Sequence, residues 1–161
     1  MAMTLEALTL AEILALHADI GTELQRRGVC RTANNPVADY TEWLVARKLG
    51  LRLDGNSQAG FDATDEARIR YQIKGRRLAK STAPPQLSVI RKLAATSFDY
   101  LIGVIFDARF QVSYAAQVPH SVVTRLSVYN AHQNGHVMHL KPSIFIESGV
   151  IDLTAKMREA E

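Results

Sequence analysis

The spacing of hydrophobic residues predicts two helices at the start of the chain. Leucine and isoleucine recur near the helical period across 5–27, and Gly28 is well placed to end this first helix. Asn35-Pro36 is a favourable start for a second helix, which we expect to run to Leu49. Glu42 lies at the edge of the apolar face of that second helix.

Alternation of apolar and polar residues predicts a β-hairpin in the middle of the chain. The segment 68–75 alternates in this way, which places Gln72 and Lys74 on one face of a strand. The segment 61–64 precedes it across a short turn and can pair with it in antiparallel fashion. Asp62 then points to the same face as Gln72 and Lys74, whereas a slip of one residue in the register would turn Asp62 away.

The rest of the pattern completes a mixed α/β fold. We expect further elements in this order: a short strand at 51–53, a helix at 86–95, a buried strand at 98–106, a strand at 110–116, a helix from 119 to about 126, an edge strand within 137–145 and a helix at 150–159. This order predicts a mixed β-sheet between helices. We expect one domain over 1–161, with an N-terminal helix and loop (1–34), a core (35–116) and a C-terminal extension (117–161).

The composition of the 161 residues is that of an ordinary globular domain, with 47% hydrophobic and 22% charged residues. The single cysteine, Cys30, excludes both an internal disulfide and a zinc site built from several cysteines. The start of the chain lacks the basic segment of a signal peptide, and no apolar run is long enough to cross a bilayer. We therefore expect a cytoplasmic protein that has no membrane partner.

The net charge of +3 is unevenly distributed along the chain. The segment 66–92 holds eight basic residues and one acid, so it carries +7, and the remaining eleven basic and fifteen acidic residues carry −4. Such a surplus in one segment indicates a surface that binds a polyanion, although a solvated basic face is the simpler alternative. The residues that we expect to contact nucleic-acid phosphates are Arg70, Arg76, Arg77, Lys80, Arg91 and Lys92.

The hairpin residues indicate a specific chemistry. Asp62, Gln72 and Lys74 supply a carboxylate, an amide oxygen and an ammonium group, which together can hold a divalent metal beside a phosphate. This combination predicts a metal-dependent nuclease. Simpler interpretations remain open: Asp62 can stabilise a turn, the other two can form the wet face of an amphipathic strand, and Glu42 can form a capping-box-like pair with Asp39.

The same residues resemble the PD-(D/E)XK nuclease superfamily. The core of that superfamily has an acid-bearing helix, a hairpin with Asp followed by (Asp/Glu/Gln)-x-Lys, a helix and a further strand. The resemblance covers residues 35–116 of this chain and implies a restriction-endonuclease-like fold. Two positions depart from the family pattern, since Phe61 stands where the proline of the motif is expected and Gln72 replaces the usual acid. The chain also resembles small bacterial proteins with Asn-Asn-Pro and Tyr-Gln-Ile-Lys segments.

The resemblance implies a role for each residue of the candidate site. Asp62, the Gln72 amide and the backbone carbonyl of Ile73 would bind Mg²⁺, for which Mn²⁺ can substitute, and Glu42 would hold a second metal or a water. Lys74 would stabilise negative charge at the scissile phosphate or orient the nucleophile. We expect an endonuclease that hydrolyses phosphodiester bonds, with DNA favoured over RNA, and a homodimer would cut both strands. A catalytically inactive nucleic-acid-binding module and a protein-interaction domain are the alternatives.

Overall fold

The computed structural model describes residues 4–55 and 60–160. The expectation about a signal peptide rests partly on residues 1–3, which lie outside these ranges. The helices are α1 (Leu10–Arg26), α2 (Val37–Leu49), α3 (His120–Leu126) and α4 (Thr154–Arg158). The strands are β1 (Arg52–Leu53), β2 (Ala63–Thr64), β3 (Arg70–Arg77), β4 (Tyr100–Phe106), β5 (Val112–Pro119), β6 (Val128–Asn130), β7 (Gly135–Val137) and β8 (Ile151–Asp152).

Six strands form one mixed sheet in the order β1–β2–β3–β4–β5–β8. β3 and β4 run parallel, and the other neighbouring pairs are antiparallel. β6 and β7 form a separate antiparallel hairpin. The prediction of a mixed α/β fold, with a sheet flanked by helices, is confirmed.

Helices α2 and α4 cover one face of the sheet. Leu44 and Val45 of α2 are buried there with Tyr71 and Ile73 of β3, and Met157 of α4 completes the same cluster. Helix α2 ends at Leu49, as the sequence predicts, because the next residue, Gly50, has a φ of +65°.

α2 passes very close to β3 at Gly75. A Cβ atom built on this glycine would lie 1.9 Å from Thr41 Oγ1, so only glycine allows the helix to approach the strand so closely. Glu42 follows Thr41 in the helix, and its carboxylate interacts electrostatically with Asp62 and with Lys74 of β3. This close approach is the feature of the fold that positions the acid of α2.

The opposite face of the sheet is covered by α3 and by an irregular segment between β3 and β4. The predicted helix at 86–95 is wrong, since Leu93–Ala95 alone forms a single 3₁₀ turn. Leu87 N–H donates to the Met138 carbonyl at 2.9 Å, and Ile90 N–H donates to the His136 carbonyl at 2.8 Å. These bonds to the β7 region replace the bonds that a helix would have made.

Helix α1 forms within the predicted range 5–27 but starts later, because Leu5–Ala7 forms a separate 3₁₀ turn, and its apolar stripe is left in solvent. It begins at Leu10 after a capping box in which Thr9 and Glu12 each accept from the other's backbone N–H, and it ends before Gly28. No residue of α1 is buried, and Leu10 is 73% exposed.

The C-terminal third departs most from the predicted pattern. β5 starts and ends later than the strand expected at 110–116, and β7 ends where the strand within 137–145 was expected to begin. Pro142, which has no backbone N–H, opens a 3₁₀ turn instead of continuing a strand. The helix expected at 150–159 is split, because β8 occupies its first part and α4 its second.

Candidate functional site

Asp62 faces Gln72 at the end of the β2–β3 pair. Ala63, the first residue of β2, pairs with Tyr71, and Asp62 directly precedes it. The Asp62 N–H donates to the Tyr71 carbonyl at 2.8 Å, which holds the Asp62 backbone beside β3. Gln72 Nε2 donates to the Asp62 carboxylate, so these two side chains meet, as the sequence predicts.

The Asp62 carboxylate contacts β3 through one of its oxygens. Oδ2 accepts a hydrogen bond of 2.7 Å from the Ile73 backbone N–H and a second one from Gln72 Nε2. Among the described residues both hydrogen bonds to this carboxylate end on Oδ2, so Oδ1 is the oxygen that can bind a cation. The Ile73 carbonyl points to the same side of β3 as its N–H, and therefore toward Asp62.

Lys74 lies on the same face of β3 as Gln72 and contacts the irregular segment. Its Nζ donates to Ser88 Oγ at 3.2 Å. Burial lowers the pKa of Lys74, the negative charges of Asp62 and Glu42 oppose that shift, and the positive charge of Arg91 adds to it. Lys74 therefore shares one electrostatic environment with both acids.

Glu42 is the acid that α2 contributes to this environment. The pKa of Glu42 is raised from its ordinary value of 4.5 to about 7, first by burial and second by the negative charge of Asp62. Arg31 opposes the shift through an ion pair of 2.8 Å between its Nη2 and Glu42 Oε2. Burial also raises the pKa of Asp62, although the Ile73 N–H and the charge of Lys74 oppose that shift.

The two carboxylates therefore come from separate elements, are partly desolvated and repel each other. Each of them would be stabilised in its ionised form by a further positive charge at the site. This is the environment in which a divalent cation binds with the largest electrostatic gain.

Arg31 is a site residue that sequence reasoning missed. It lies in the loop between α1 and α2 and joins the two acids of α2, because Nη2 is 2.8 Å from Asp39 Oδ1 and 2.8 Å from Glu42 Oε2. Asp39 also accepts from the Arg31 backbone N–H at 2.7 Å. Asp39 and Glu42 are thus linked through a shared cation, and no periodicity or motif marked this arginine.

The donor set limits the kind of metal that the site can hold. Within residues 4–55 and 60–160, no group of three or more His, Cys, Asp or Glu side chains is placed to bind a metal ion. A cation at Asp62 would therefore depend on one or two carboxylates, the Gln72 amide and the Ile73 carbonyl. Mg²⁺ fits this set, because it prefers oxygen ligands and keeps several of its waters.

Two of the six predicted phosphate-binding residues already have partners within the protein, and the other four are exposed to solvent. Arg70 is held by Asp99, with Nη2–Oδ1 at 2.9 Å, so an internal ion pair already uses its charge. Arg77 lies on the opposite face of β3 from Lys74, where Nη1 donates to the Ala108 carbonyl at 2.6 Å. The remaining four are exposed and stay candidates for phosphate contacts: Arg76, Lys80, Arg91 and Lys92.

The sequence matches no protein-family model and no curated protein. Among the residues that the structure describes, no helix has the length and apolar character needed to cross a membrane.

Proposed function

We propose that this protein is a Mg²⁺-dependent endonuclease that hydrolyses phosphodiester bonds, with DNA as the favoured substrate. The observation that carries the proposal is the convergence of Asp62, Gln72 and Lys74 from the hairpin with Glu42 from α2. Carboxylates of raised pKa beside a lysine are the arrangement expected of a metal-assisted phosphoryl site.

The order of the elements supports a restriction-endonuclease-like fold. α2 is followed by the antiparallel strands β1, β2 and β3, and β4 then runs parallel to β3 at its other edge. The helix expected between β3 and β4 is replaced by the irregular segment that holds Ser88. The fold proposal therefore rests on α2 and the four strands β1 to β4.

Four groups of the chain would hold the cation: Asp62 Oδ1, the Gln72 side-chain oxygen, the Ile73 carbonyl and, at the edge of the site, Glu42. Gln72 Nε2 donates a hydrogen bond to the Asp62 carboxylate. Cation binding would therefore require the amide to turn and present its oxygen to the cation. When bound, a divalent cation supplies charge stabilisation to a phosphoryl group and makes water a better nucleophile at neutral pH.

The remaining steps can be assigned to side chains of the site. Lys74, which Ser88 holds in place, would stabilise the negative charge that develops on the phosphate oxygens. Glu42, whose pKa in the metal-free protein is raised to about 7 by burial and by the charge of Asp62, would orient the attacking water at the edge of the site. Arg76, Lys80, Arg91 and Lys92 would contact phosphates on either side of the cleaved bond without reading the base sequence.

A plasmid-nicking assay tests this proposal. The unaltered chain should convert supercoiled DNA to nicked or linear DNA in Mg²⁺ and not in EDTA. Asp62→Ala and Lys74→Ala should each lower the rate by about 100-fold or more, because each removes a group that acts on the reacting phosphate. Lys141→Ala, an exposed lysine outside the site, is the matched control and should cleave at the unaltered rate. Cleavage that survives in Asp62→Ala would refute the proposal.

A second candidate function is nucleic-acid binding without cleavage. It is favoured by one observation: protein groups already compensate the two acids, since Gln72 donates to Asp62 and Arg31 pairs with Glu42. In that case the unaltered chain would bind DNA in a salt-sensitive manner and would not cut it. Gln72→Glu, which adds the acid of the family motif, would then introduce Mg²⁺-dependent cleavage into an inactive protein.

A further inference from the structure

The apolar stripe of α1 is a large hydrophobic surface that the body of the molecule leaves uncovered. Leu10 is 73% exposed, Leu14 61% and Ile20 53%, and none of the seventeen residues of the helix is buried. Helices of this length are stabilised mainly by the packing of an apolar face. The stripe of α1 therefore requires a binding partner.

The stripe is almost the same when it is read from either end. Leu10, Leu14, His17, Ile20 and Leu24 follow one another at the three- and four-residue spacing of a helix-pairing seam. If two copies of α1 pair in antiparallel fashion about His17, Leu10 lies opposite Leu24, and Leu14 lies opposite Ile20. Apolar residues then meet apolar residues on both sides of the centre, where the two copies of His17 face each other.

The charges of α1 favour the antiparallel orientation. Glu12 makes the first turn of α1 acidic and Glu6 lies in the 3₁₀ turn before it, whereas Arg26 in the last turn and Arg27 at the C-cap make the other end basic. Both arginines pair with the single carboxylate of Glu23, at 2.7 and 2.8 Å, so this end keeps a net positive charge. Antiparallel pairing brings unlike ends and opposed helix dipoles together, and parallel pairing would bring like ends together.

An apolar cavity marks the place where a second helix would end. It measures about 200 Å³ and is lined by Leu24, Val29, Cys30, Pro36, Tyr40 and Phe110. In the antiparallel arrangement, the Leu10 of the second copy lies opposite Leu24 and therefore at this cavity. The most exposed leucine of α1 thus meets an apolar space of a size that a side chain can enter.

We propose that the occupant of the α1 stripe is a second copy of this chain. Two α1 helices pair antiparallel about His17, and the Leu10 of each copy enters the cavity beside Leu24 of the other. The proposal does not depend on the nuclease proposal. A dimer would nevertheless carry two candidate sites, one in each copy. The loop that follows α1 connects the interface to each site through Arg31, which contacts Glu42.

The mass of the full chain in solution tests the interface, by light scattering during size-exclusion chromatography at micromolar concentration. The unaltered chain should have twice the mass of one chain. Leu10→Glu with Leu14→Glu should give a monomer, because the two charges enter the seam. Ala11→Glu with Ala15→Glu adds the same charges on exposed positions away from the stripe and should leave the dimer intact. A monomeric unaltered chain, or a dimer that survives in the leucine variant, would overturn the proposal.

Cysteine cross-linking tests the orientation on folded protein. His17→Cys should form a disulfide-linked dimer on mild oxidation, because the two copies of position 17 face each other. Leu10→Cys, made in a Cys30→Ala chain because Cys30 lines the cavity that Leu10 enters, should not, since antiparallel pairing separates the two copies of position 10 by about 21 Å along the helix axis. The unaltered chain, whose only cysteine is buried, is the control. Efficient cross-linking of Leu10→Cys, or none of His17→Cys, would contradict antiparallel pairing.

Discussion

The two faces of β3 serve different purposes, although they alternate along one strand. Tyr71 and Ile73 are buried on one face in a cluster with α2 and β4. Gln72 and Lys74 lie on the other face, beside Asp62 and the Ser88 hydroxyl. Burial of the apolar face stabilises the fold. The polar face carries charged groups whose charges are only partly compensated by neighbouring residues.

Under the proposed function, this contrast separates the residues that stabilise the fold from the residues that act at the site. Removing an apolar contact should weaken the fold, and removing a charge at the site should change activity or pH dependence more than it weakens the fold. Functional sites commonly hold groups that would be more stable elsewhere. Burial raises the pKa of both Glu42 and Asp62 beside the polar face.

The largest effect on stability is expected at the apolar face. Ile73→Ala removes a side chain that is only 5% exposed, so the free energy of unfolding should fall by about 2–5 kcal/mol. Urea unfolding followed by circular dichroism measures this change. Lys80→Ala, an exposed position near the end of the same strand, should change the free energy by less than about 0.5 kcal/mol. A loss at Ile73 no larger than this control would mean that β3 does not pack as described.

The largest effect on activity is expected at the polar face. Lys74→Met keeps most of the apolar stem of the side chain and removes its charge, so DNA cleavage should slow by about 100-fold to 1000-fold. Initial rates in the nicking assay measure the loss, and circular dichroism verifies that the variant is folded. An unchanged rate in a folded variant would remove Lys74 from the site.

Glu42 should make the metal-free protein less stable as the pH rises. The pKa of Glu42 is raised in the folded state, so the folded protein binds more protons than the unfolded chain between about pH 4.5 and 7. The contribution of Glu42 to stability is therefore lost as the pH rises through this window. Glu42→Gln should reduce the loss between about pH 5 and pH 8 by about 1–3 kcal/mol.

Urea unfolding in EDTA at the two pH values measures the Glu42 effect. Glu159→Gln, at an exposed glutamate of the C-terminal region that pairs with Lys156, is the control for the loss of one carboxylate far from the site. Equal pH dependence in Glu42→Gln and the unaltered chain would show that Glu42 is not held in the environment described above.

A smaller effect is expected where α2 crosses β3. Gly75→Ala places a methyl group against the Thr41 side chain, so the free energy of unfolding should fall by about 1–3 kcal/mol. Thr41→Ala in the same chain should recover part of that loss, because it removes the nearest atom. Urea unfolding of the two single variants and the double variant gives the coupling. Strictly additive losses would show that the two residues are not in contact.

The hairpin and α2 could be predicted from sequence because local signals specify them. Alternation over 68–75 marked both faces of β3, but the register that brings Asp62 to Gln72 was left open by a residue or two. Asn35-Pro36 and the glycine after Leu49 bracketed α2. In each case neighbouring residues carry the information, and the structure agrees with the prediction to within a few residues.

Other features depend on residues that are distant in sequence. Leu87 and Ile90 have a spacing that also fits a helix, but their backbone groups bond to the β7 region, and the sequence contains no local sign of that pairing. Arg31 reaches Asp39 and Glu42 from a loop, so no period or motif identified it. For α1, the pattern predicted the helix and its stripe correctly, but it could not show that the body of the molecule leaves the stripe uncovered.

A crystal soaked in Mn²⁺ tests the central claim most directly, because anomalous scattering locates the ion without an assay of activity. We predict a peak within coordination distance of the Asp62 carboxylate, the turned Gln72 amide and the Ile73 carbonyl, and its loss in crystals of Asp62→Ala. A saturating soak that leaves no peak at Asp62 would contradict the account.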